Sequence, residues 1–263
     1  MSLDSPGVLY VETGDRIATV TLNRPEARNA LNRPLRAALW KTIETLDSDG
    51  TIDVVIITGT DPAFCAGLDL KELGATGGGL ASTDGLDIAG EAARPFPSID
   101  KPVIAAVNGV AVTGGFELAL ACDFIIAGDR ARFADTHARV GIQPGWGLTV
   151  ALPQAIGVRR ARELSFTGNY LDAQAARDWG LVNHVVPHDE LLLHARKLAA
   201  DIVGNDREAV ARIRRTYAEG TMMTGSDATS LEARVSAEWL ANVDGADVEE
   251  RRRDVIDRGR DQL

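Results

Sequence analysis

The chain has 263 residues and a formal net charge of −10, with 45% hydrophobic and 25% charged residues. This length allows one large domain, or a domain with a helical extension, and is enough to bury a full core. The negative charge argues against a broad basic surface for nucleic acid, although local arginines and helix N-termini can still bind an anion. No apolar run approaches the ~20 residues that cross a bilayer, and the N-terminus lacks a basic segment followed by an apolar one, so we expect no membrane partner and a cytoplasmic location.

The first half of the chain alternates strand-like and helix-like segments. Residues 8–12 and 17–22 predict a β-hairpin, and residues 34–46 predict an amphipathic helix. Buried strands are predicted for the β-branched or apolar runs at 53–58, 103–107 and 123–127. This recurrence of strand, turn and helix indicates a layered α/β core, and it fits a doubly wound sheet and a spiral of ββα units equally well.

Two stretches, residues 64–70 and 108–119, join an apolar strand-like run to a helix-like run through glycine. A backbone that turns sharply from a strand into a helix leaves N–H groups unpaired. Two such turns that face each other can hold a developing oxyanion. Glu117, three residues past Gly114, puts a carboxylate beside that pair of turns.

Glu117 lies in an otherwise apolar stretch, residues 116–121. Glutamate is rarely buried without a partner, so a carboxylate at this position needs a reason. Either it forms an ion pair or caps a helix, or it binds and deprotonates a water molecule, with a pKa raised by burial.

The remaining reactive side chains do not suggest a second centre. Cys65 and Cys122 each lie in an apolar run and predict buried, reduced thiols rather than nucleophiles. The four histidines do not combine with cysteines or carboxylates in a ligand pattern, so no metal is expected. Residues 74–90 are rich in Gly, Ser, Thr and Ala, and we expect either a flexible surface loop or a lid or wall of the acyl pocket.

From residue 189 onward, helix formers dominate and glycine becomes sparse. Helices are predicted at 189–203, 206–219, 229–242 and 247–260. A helical tail of this kind packs either on its own core or on a neighbouring subunit.

Several motifs in a fixed order resemble those of the enoyl-CoA hydratase/isomerase, or crotonase, family. They are Asn23-Arg24-Pro25-Glu26-Ala27-Arg28-Asn29-Ala30-Leu31, Ala66-Gly67-Leu68-Asp69-Leu70, Lys101-Pro102-Val103-Ile104-Ala105-Ala106-Val107-Asn108-Gly109 and Gly114-Gly115-Phe116-Glu117. Further matches at 122–123, 131–133, 141–145 and 180–183 extend the resemblance over nearly the whole chain. The resemblance implies an α/β fold in which residues 1–188 form a crotonase-like spiral of ββα units. It also implies that residues 189–263 form a C-terminal helical oligomerisation region, which builds a homotrimer or a hexamer as a dimer of trimers.

The activity that the resemblance implies is the addition of water to 2-enoyl-CoA thioesters by a lyase of the hydratase type. The amides of Leu68 and Gly114 would hold the thioester oxygen as the enolate forms, and Glu117 would activate the water. Coenzyme A would enter as part of the substrate, with no permanently bound cofactor.

The same resemblance implies the substrate contacts. The Arg28 guanidinium would bind phosphate of coenzyme A. The adenine and pantetheine would lie near Ala30, Ala66, Asp69 and Leu70. The acyl end would be lined by Gly115, Pro144, Gly145 and Trp146, although a tryptophan at position 146 fits a core position equally well.

One position departs from the family pattern. Hydratases of this family carry a second glutamate twenty residues after the first, and that position here is His137. His137 either delivers the proton to the α-carbon or only fills the site, and either His137 or Asp135 faces the pocket. Asp135 could equally cap the short helix that begins near His137. The alternatives to hydration are an isomerase or another enolate reaction that uses one base, or a catalytically weak acyl-CoA-binding protein.

Overall fold

The computed structural model describes residues 7–75, 94–241 and 245–261. The strands are β1 (Leu9–Gly14), β2 (Ile17–Leu22), β3 (Val54–Gly59), β4 (Ala63–Cys65), β5 (Val103–Val107), β6 (Val110–Val112), β7 (Phe124–Gly128), β8 (Arg132–Ala134), β9 (Leu171–Asp172) and β10 (His184–Val186). The helices are α1 (Arg33–Ser48), α2 (Leu70–Ala75), α3 (Gly114–Leu120), α4 (His137–Val140), α5 (Leu148–Ile156), α6 (Val158–Thr167), α7 (Ala173–Asp178), α8 (Leu191–Val203), α9 (Arg207–Gly220), α10 (Gly225–Leu240) and α11 (Gly245–Asp261). Short 3-10 helices cover Pro25–Ala27 and His188–Glu190.

The strands form two sheets. The larger has the order β1-β2-β3-β5-β7-β10 and is parallel except for the β1–β2 hairpin. The smaller has the order β4-β6-β8-β9, in which only β9 runs antiparallel to its neighbour. Along the chain, β3-β4-α2, β5-β6-α3 and β7-β8-α4 each give one strand to each sheet and then a helix. This repetition confirms the predicted spiral of ββα units and is not the arrangement of a doubly wound sheet.

Both faces of the large sheet are buried, as is typical of parallel strands with near-continuous apolar sequence. On β3, Val55 and Ile57 point into a core shared with α1, whereas Val54 and Ile56 point to the opposite face. Helix α8 covers that opposite face with three apolar residues, Leu191, Ala195 and Ala199. Their spacing of four residues places them on one side of the helix.

Most elements predicted from hydrophobic periodicity are confirmed within a few residues. The hairpin joins β1 to β2, and α1 begins at Arg33, where the Asn32 side chain accepts the N–H of Leu35 at 3.0 Å. The four predicted C-terminal helices correspond to α8, α9, α10 and α11. Cys65 and Cys122 are buried and not joined by a disulfide, and burial raises the pKa of Cys65 to about 12. The glycine-rich segment lies outside the described residues from position 76 onward.

The described chain divides into two compact units, one ending at Val210 and one beginning at Ala211. The sequence places the change from spiral to helical region at 188/189, but α8 belongs to the first unit because its apolar face packs on the large sheet. In the second unit, Leu231 is buried and the guanidinium of Arg212 lies 4.2 Å from the ring of Trp239. A role in oligomerisation stays a prediction. In the described part of the chain, no helix combines the length and apolarity that a membrane span requires.

Candidate active site

The first glycine turn lies between β4 and α2. Leu31 and Leu68 form an isolated parallel bridge in which the N–H of Leu31 donates to the carbonyl of Gly67 at 2.7 Å. The N–H of Asp69 donates in return to the carbonyl of Leu31 at 3.3 Å. Because successive amides of an extended segment point to opposite sides, the N–H of Leu68 points away from Leu31. Gly67 adopts a φ of +90°, and a Cβ there would lie 2.8 Å from the carbonyl oxygen of Val112, so the turn requires glycine.

The second turn joins β6 to α3 through Thr113, which has φ 53° and ψ −113°. This conformation is uncommon for a residue with a β-branched side chain. Two contacts hold it: the Thr113 N–H donates to the carbonyl of Ala134 at 2.9 Å, and its hydroxyl lies 2.5 Å from that of Thr136. Both contacts reach the segment that precedes α4.

The two turns approach each other closely. A Cβ on Gly115 would lie 2.0 Å from the carbonyl oxygen of Cys65, so only glycine allows α3 to begin against the end of β4. A Cβ on Gly114 would lie 3.4 Å from the backbone nitrogen of Leu68. Neither the Leu68 N–H nor the Gly114 N–H has a hydrogen-bond acceptor among the described residues. The two turns therefore bring the backbones of Leu68 and Gly114 side by side, each with an N–H that is unpaired within the described chain. Their role as a pair of oxyanion donors stays a prediction.

Glu117 lies one turn into α3 and is only 3% exposed. Its Oε1 accepts the backbone N–H of Trp146 at 2.8 Å, and the backbone N–H of Leu148 adds a second hydrogen bond. Burial raises the pKa of Glu117 above its usual range, although these hydrogen bonds and nearby His137 partly offset that effect. A buried carboxylate with a raised pKa is suited to accept a proton near neutral pH.

His137 and Asp135 both lie near Glu117, with the His137 ring between the two carboxylates. The Nε2 atom of His137 lies 3.7 Å from Oε2 of Glu117, while its Nδ1 atom lies 2.7 Å from Oδ1 of Asp135. The ring therefore lies between two carboxylates, and His137 is the residue next to Glu117. Oδ1 of Asp135 also accepts the backbone N–H of His137 at 3.1 Å, so Asp135 holds both the ring and the backbone of this residue, while the N-cap of α4 is Thr136.

Asp135 is 1% exposed, and its burial disfavours the charged form. Hydrogen bonds from the His137 ring, the Ser165 hydroxyl and the His137 backbone outweigh that penalty. The pKa of Asp135 is therefore lowered, and the carboxylate is charged at neutral pH.

The predicted acyl-end residues, Pro144, Gly145 and Trp146, lie half-buried in the connection between α4 and α5. A Cβ on Gly114 would lie 3.2 Å from Cζ3 of Trp146, so the indole ring covers the start of α3. The structure thus places Trp146 beside Glu117 and Gly114, and not in a remote part of the core.

The segment that carries the predicted coenzyme A residues runs alongside the first turn. The N–H of Ala66 donates to the carbonyl of Arg28 at 3.0 Å, and the side chain of Arg28 is exposed. Ala30 is buried, Ala66 is half-buried and Leu70 is exposed at the start of α2. Asp69 is half-buried, and its side chain has a partner within the protein.

That partner is Arg24, a residue that sequence reasoning did not single out. Two guanidinium nitrogens of Arg24 lie 3.1 and 3.0 Å from Oδ2 of Asp69, and both side chains are largely buried. Burial alone would raise the pKa of Asp69, but the hydrogen bonds from Arg24 and from the backbone of α2 lower it. Arg24 and Arg28 belong to one motif, and its sequence carries no signal that distinguishes the buried arginine from the exposed one.

Comparison with known proteins identifies relatives over most of the chain. The family model described as enoyl-CoA hydratase/isomerase matches residues 12–253. The probable peroxisomal enoyl-CoA hydratase 1 of Arabidopsis thaliana is 41% identical over 216 residues, which cover 82% of this chain and 80% of that protein. The crotonyl-CoA hydratase of Syntrophomonas wolfei is 36% identical over 227 residues, or 86% of each chain. A crystal structure of an enoyl-CoA hydratase from Mycobacterium tuberculosis aligns with a TM-score of 0.73 at 46% identity, covering 89% of this chain and 96% of that one.

Proposed function

The chain belongs to the enoyl-CoA hydratase/isomerase family, and on that premise we propose that it adds water across the double bond of 2-enoyl-CoA thioesters. The proposal is supported mainly by the two adjoining turns, which leave the N–H groups of Leu68 and Gly114 without an acceptor among the described residues, and by the buried Glu117, which lies 3.7 Å from His137. Relatives named as hydratases, aligned over more than four fifths of the chain, support the same activity.

The two N–H groups act on the charge that develops during the reaction. Attack of water on the β-carbon moves electrons through the α-carbon to the thioester oxygen and forms an enolate. Donors at that oxygen bind the transition state more tightly than the ground state. In a comparable oxyanion site, the loss of one donor costs about 2.7–4 kcal/mol. Leu68 and Gly114 contribute through their backbones, so neither needs a polar side chain.

Glu117 and His137 move the protons. The Glu117 carboxylate takes one proton from water as the water oxygen bonds to the β-carbon. The imidazolium of His137 then gives the proton on Nε2 to the α-carbon, and the enolate electrons return to form that C–H bond. Glu117 is now protonated and His137 neutral, and transfer of the proton from Glu117 to Nε2 restores the starting state. Oε2 and Nε2 lie 3.7 Å apart, so this return requires the two side chains to move closer, to hydrogen-bond distance, or one water molecule to bridge them.

The substrate contacts proposed for coenzyme A follow the position of the motif beside the first turn. Arg28 is exposed and available for a phosphate, and the backbones of Ala30, Ala66, Asp69 and Leu70 lie beside the bridge between Leu31 and Leu68. Coenzyme A enters and leaves with each substrate, and the proposal includes no permanently bound cofactor.

We further propose that the second unit assembles the protein as a homotrimer or as a hexamer of two trimers. The support is a set of large apolar side chains that are exposed on its helices: Ile213, Tyr217, Leu240, Val248 and Val255. Light scattering after size exclusion would measure the mass, and a monomer at micromolar concentration would contradict the proposal.

A cytoplasmic location stays a prediction, since the name of the Arabidopsis relative places that protein in the peroxisome.

The test of hydration uses purified protein and crotonyl-CoA, followed by the loss of the absorbance of the conjugated thioester. We expect turnover by the wild type and none above background by Glu117→Gln. A wild type that is inert but binds crotonyl-CoA in calorimetry would contradict hydration and favour an acyl-CoA-binding protein. Conversion of a 3-enoyl-CoA to the 2-enoyl isomer without hydration would favour an isomerase.

A further inference from the structure

The buried carboxylate of Asp135 makes two contacts with His137. Its Oδ1 accepts the backbone N–H of His137 at 3.1 Å and lies 2.7 Å from Nδ1 of the imidazole ring. The Ser165 hydroxyl also helps to lower the pKa of this carboxylate. The N-cap of α4 is Thr136, so a capping role does not account for the contact between Asp135 and the ring.

We propose that Asp135 is a positioning residue for proton transfer: its carboxylate holds Nδ1–H of His137, so that Nε2 is the atom that exchanges a proton with the substrate and with Glu117. The inference rests on the proposed hydration, and it assigns to this chain a second carboxylate that acts through the histidine.

The assignment follows from what each group can donate. An ionised carboxylate only accepts hydrogen bonds, so the Nδ1 atom that lies 2.7 Å from Asp135 carries a proton. In the neutral ring, Nε2 is then the unprotonated nitrogen, and it is the nitrogen that faces Glu117. In the other tautomer, the lone pair on Nδ1 would face the carboxylate. Nε2 would then already carry a proton and could not accept the one that Glu117 returns at the end of the cycle.

The charge of Asp135 also stabilises the protonated form of the His137 ring. When Nε2 takes up its proton, the ring becomes an imidazolium between Asp135 and Glu117. A carboxylate at hydrogen-bond distance stabilises that cation in a site with little water. Once Glu117 is protonated, Asp135 is the remaining negative charge beside the ring.

The test measures the tautomer of His137 directly. Nitrogen NMR of protein with 15N-labelled histidine distinguishes protonated from unprotonated ring nitrogens, and the chain has only four histidines to assign. We expect the neutral wild-type ring to carry its proton on Nδ1, and the Asp135→Ala protein to lose this preference. Unchanged resonances from His184, His188 and His194 would show that the variant is folded.

Activity gives the second measurement. We expect kcat of Asp135→Ala for crotonyl-CoA to fall by ~10²-fold with little change in KM, because the proton transfer is impaired and binding is not. Asp135→Asn keeps an acceptor oxygen but loses the charge, so its ring should keep the wild-type tautomer while kcat falls by at least ~10-fold. Asp172→Ala is the matched control, since Asp172 caps α7 and pairs with β8 outside the site.

Two results would overturn the proposal: an Asp135→Ala protein whose His137 keeps the single wild-type tautomer, or an Asp135→Asn protein with wild-type kcat. If Asp135→Ala does not fold, Asp135→Asn decides. The ring measurement needs no substrate, so an inert wild type would contradict hydration and leave the role of Asp135 to the NMR result.

Discussion

The backbone N–H of Trp146 donates to Oε1 of Glu117 at 2.8 Å, while Oε2 of the same carboxylate faces His137. One oxygen of Glu117 is therefore fixed by the loop that carries the predicted acyl-end residues, and the other remains on the side of the imidazole. Any change that moves this loop also moves the proposed base.

Replacing Glu117 with glutamine should remove the base and keep the shape of the side chain. We expect kcat for crotonyl-CoA to fall by ~10²–10⁴-fold, which is the usual contribution of general acid–base catalysis. Thermal unfolding should show no loss of stability, because the amide oxygen still accepts the Trp146 N–H and a buried charge is gone. Glu232→Gln on the exposed face of α10 is the control, and a Glu117→Gln enzyme within twofold of wild type would exclude the base role.

Replacing Trp146 with leucine should enlarge the acyl end of the site. The indole ring covers Gly114, so a smaller side chain there leaves room for a longer acyl group. We expect the ratio of kcat/KM for decenoyl-CoA to that for crotonyl-CoA to rise by at least ~10-fold, the order expected from one or two added methylene contacts. Trp179→Leu, which changes a half-buried tryptophan at the end of α7, should leave the ratio unchanged. An equal ratio in the two variants would show that Trp146 does not limit chain length.

Among the arginines of the first motif, replacing Arg24 should lower stability, whereas replacing Arg28 should weaken substrate binding. Arg24→Met leaves the Asp69 carboxylate without its guanidinium partner in a largely buried place, so urea unfolding should show a loss of ~1–3 kcal/mol. Arg28→Met removes an exposed side chain, so stability should change by less than about 0.5 kcal/mol while KM for crotonyl-CoA rises. An unchanged KM in Arg28→Met would argue against a contact with coenzyme A.

Gly115→Ala should push the two turns apart. Its Cβ would lie 2.0 Å from the carbonyl oxygen of Cys65, which is backbone and cannot rotate away. We expect a loss of at least ~1–3 kcal/mol in the free energy of unfolding, together with a lower kcat in whatever protein folds. Gly225→Ala is the matched control, because a Cβ at that position at the start of α10 has no atom within 4 Å. Equal stability of the two variants would mean that the two turns accommodate a Cβ at position 115 without strain.

The Asp69 carboxylate should make a pH-dependent contribution to stability. Its pKa is lowered in the folded protein from an ordinary value of 3.8, so its ionisation stabilises the fold above that value. The contribution is lost as pH falls below 3.8 and through the lowered pKa. We expect wild type to be more stable than Asp69→Asn at pH 6 and the difference to shrink toward pH 3, measured by urea unfolding at each pH. A difference that is constant with pH would mean that the ion pair with Arg24 does not depend on the charge of Asp69.

Sequence reasoning predicted the parts of the site that depend on backbone pattern. The glycine turns and Glu117 follow from strand-to-helix transitions that hydrophobic periodicity and glycine positions reveal. The order of Asp135 and His137 depends on how an imidazole ring folds back on a carboxylate two residues earlier, and no spacing rule fixes that rotamer. The sequence also left open whether the first C-terminal helix packs on its own core, because Ala195 and Ala199, through which α8 packs on the sheet, carry a weak hydrophobic signal.

The three ββα turns of the spiral each supply a different part of the site. The turn containing β4 provides the Leu68 amide, the turn containing β6 provides Gly114 and Glu117, and the turn containing β8 leads to Asp135 and His137. In the proposed mechanism, the proton donor to the α-carbon lies in the third turn and the enolate-binding amides lie in the first two. We therefore expect that residues of the third turn can be exchanged, such as a glutamate for a histidine–aspartate pair, while the proposed oxyanion site stays unchanged, and that changes of reaction arise in that turn.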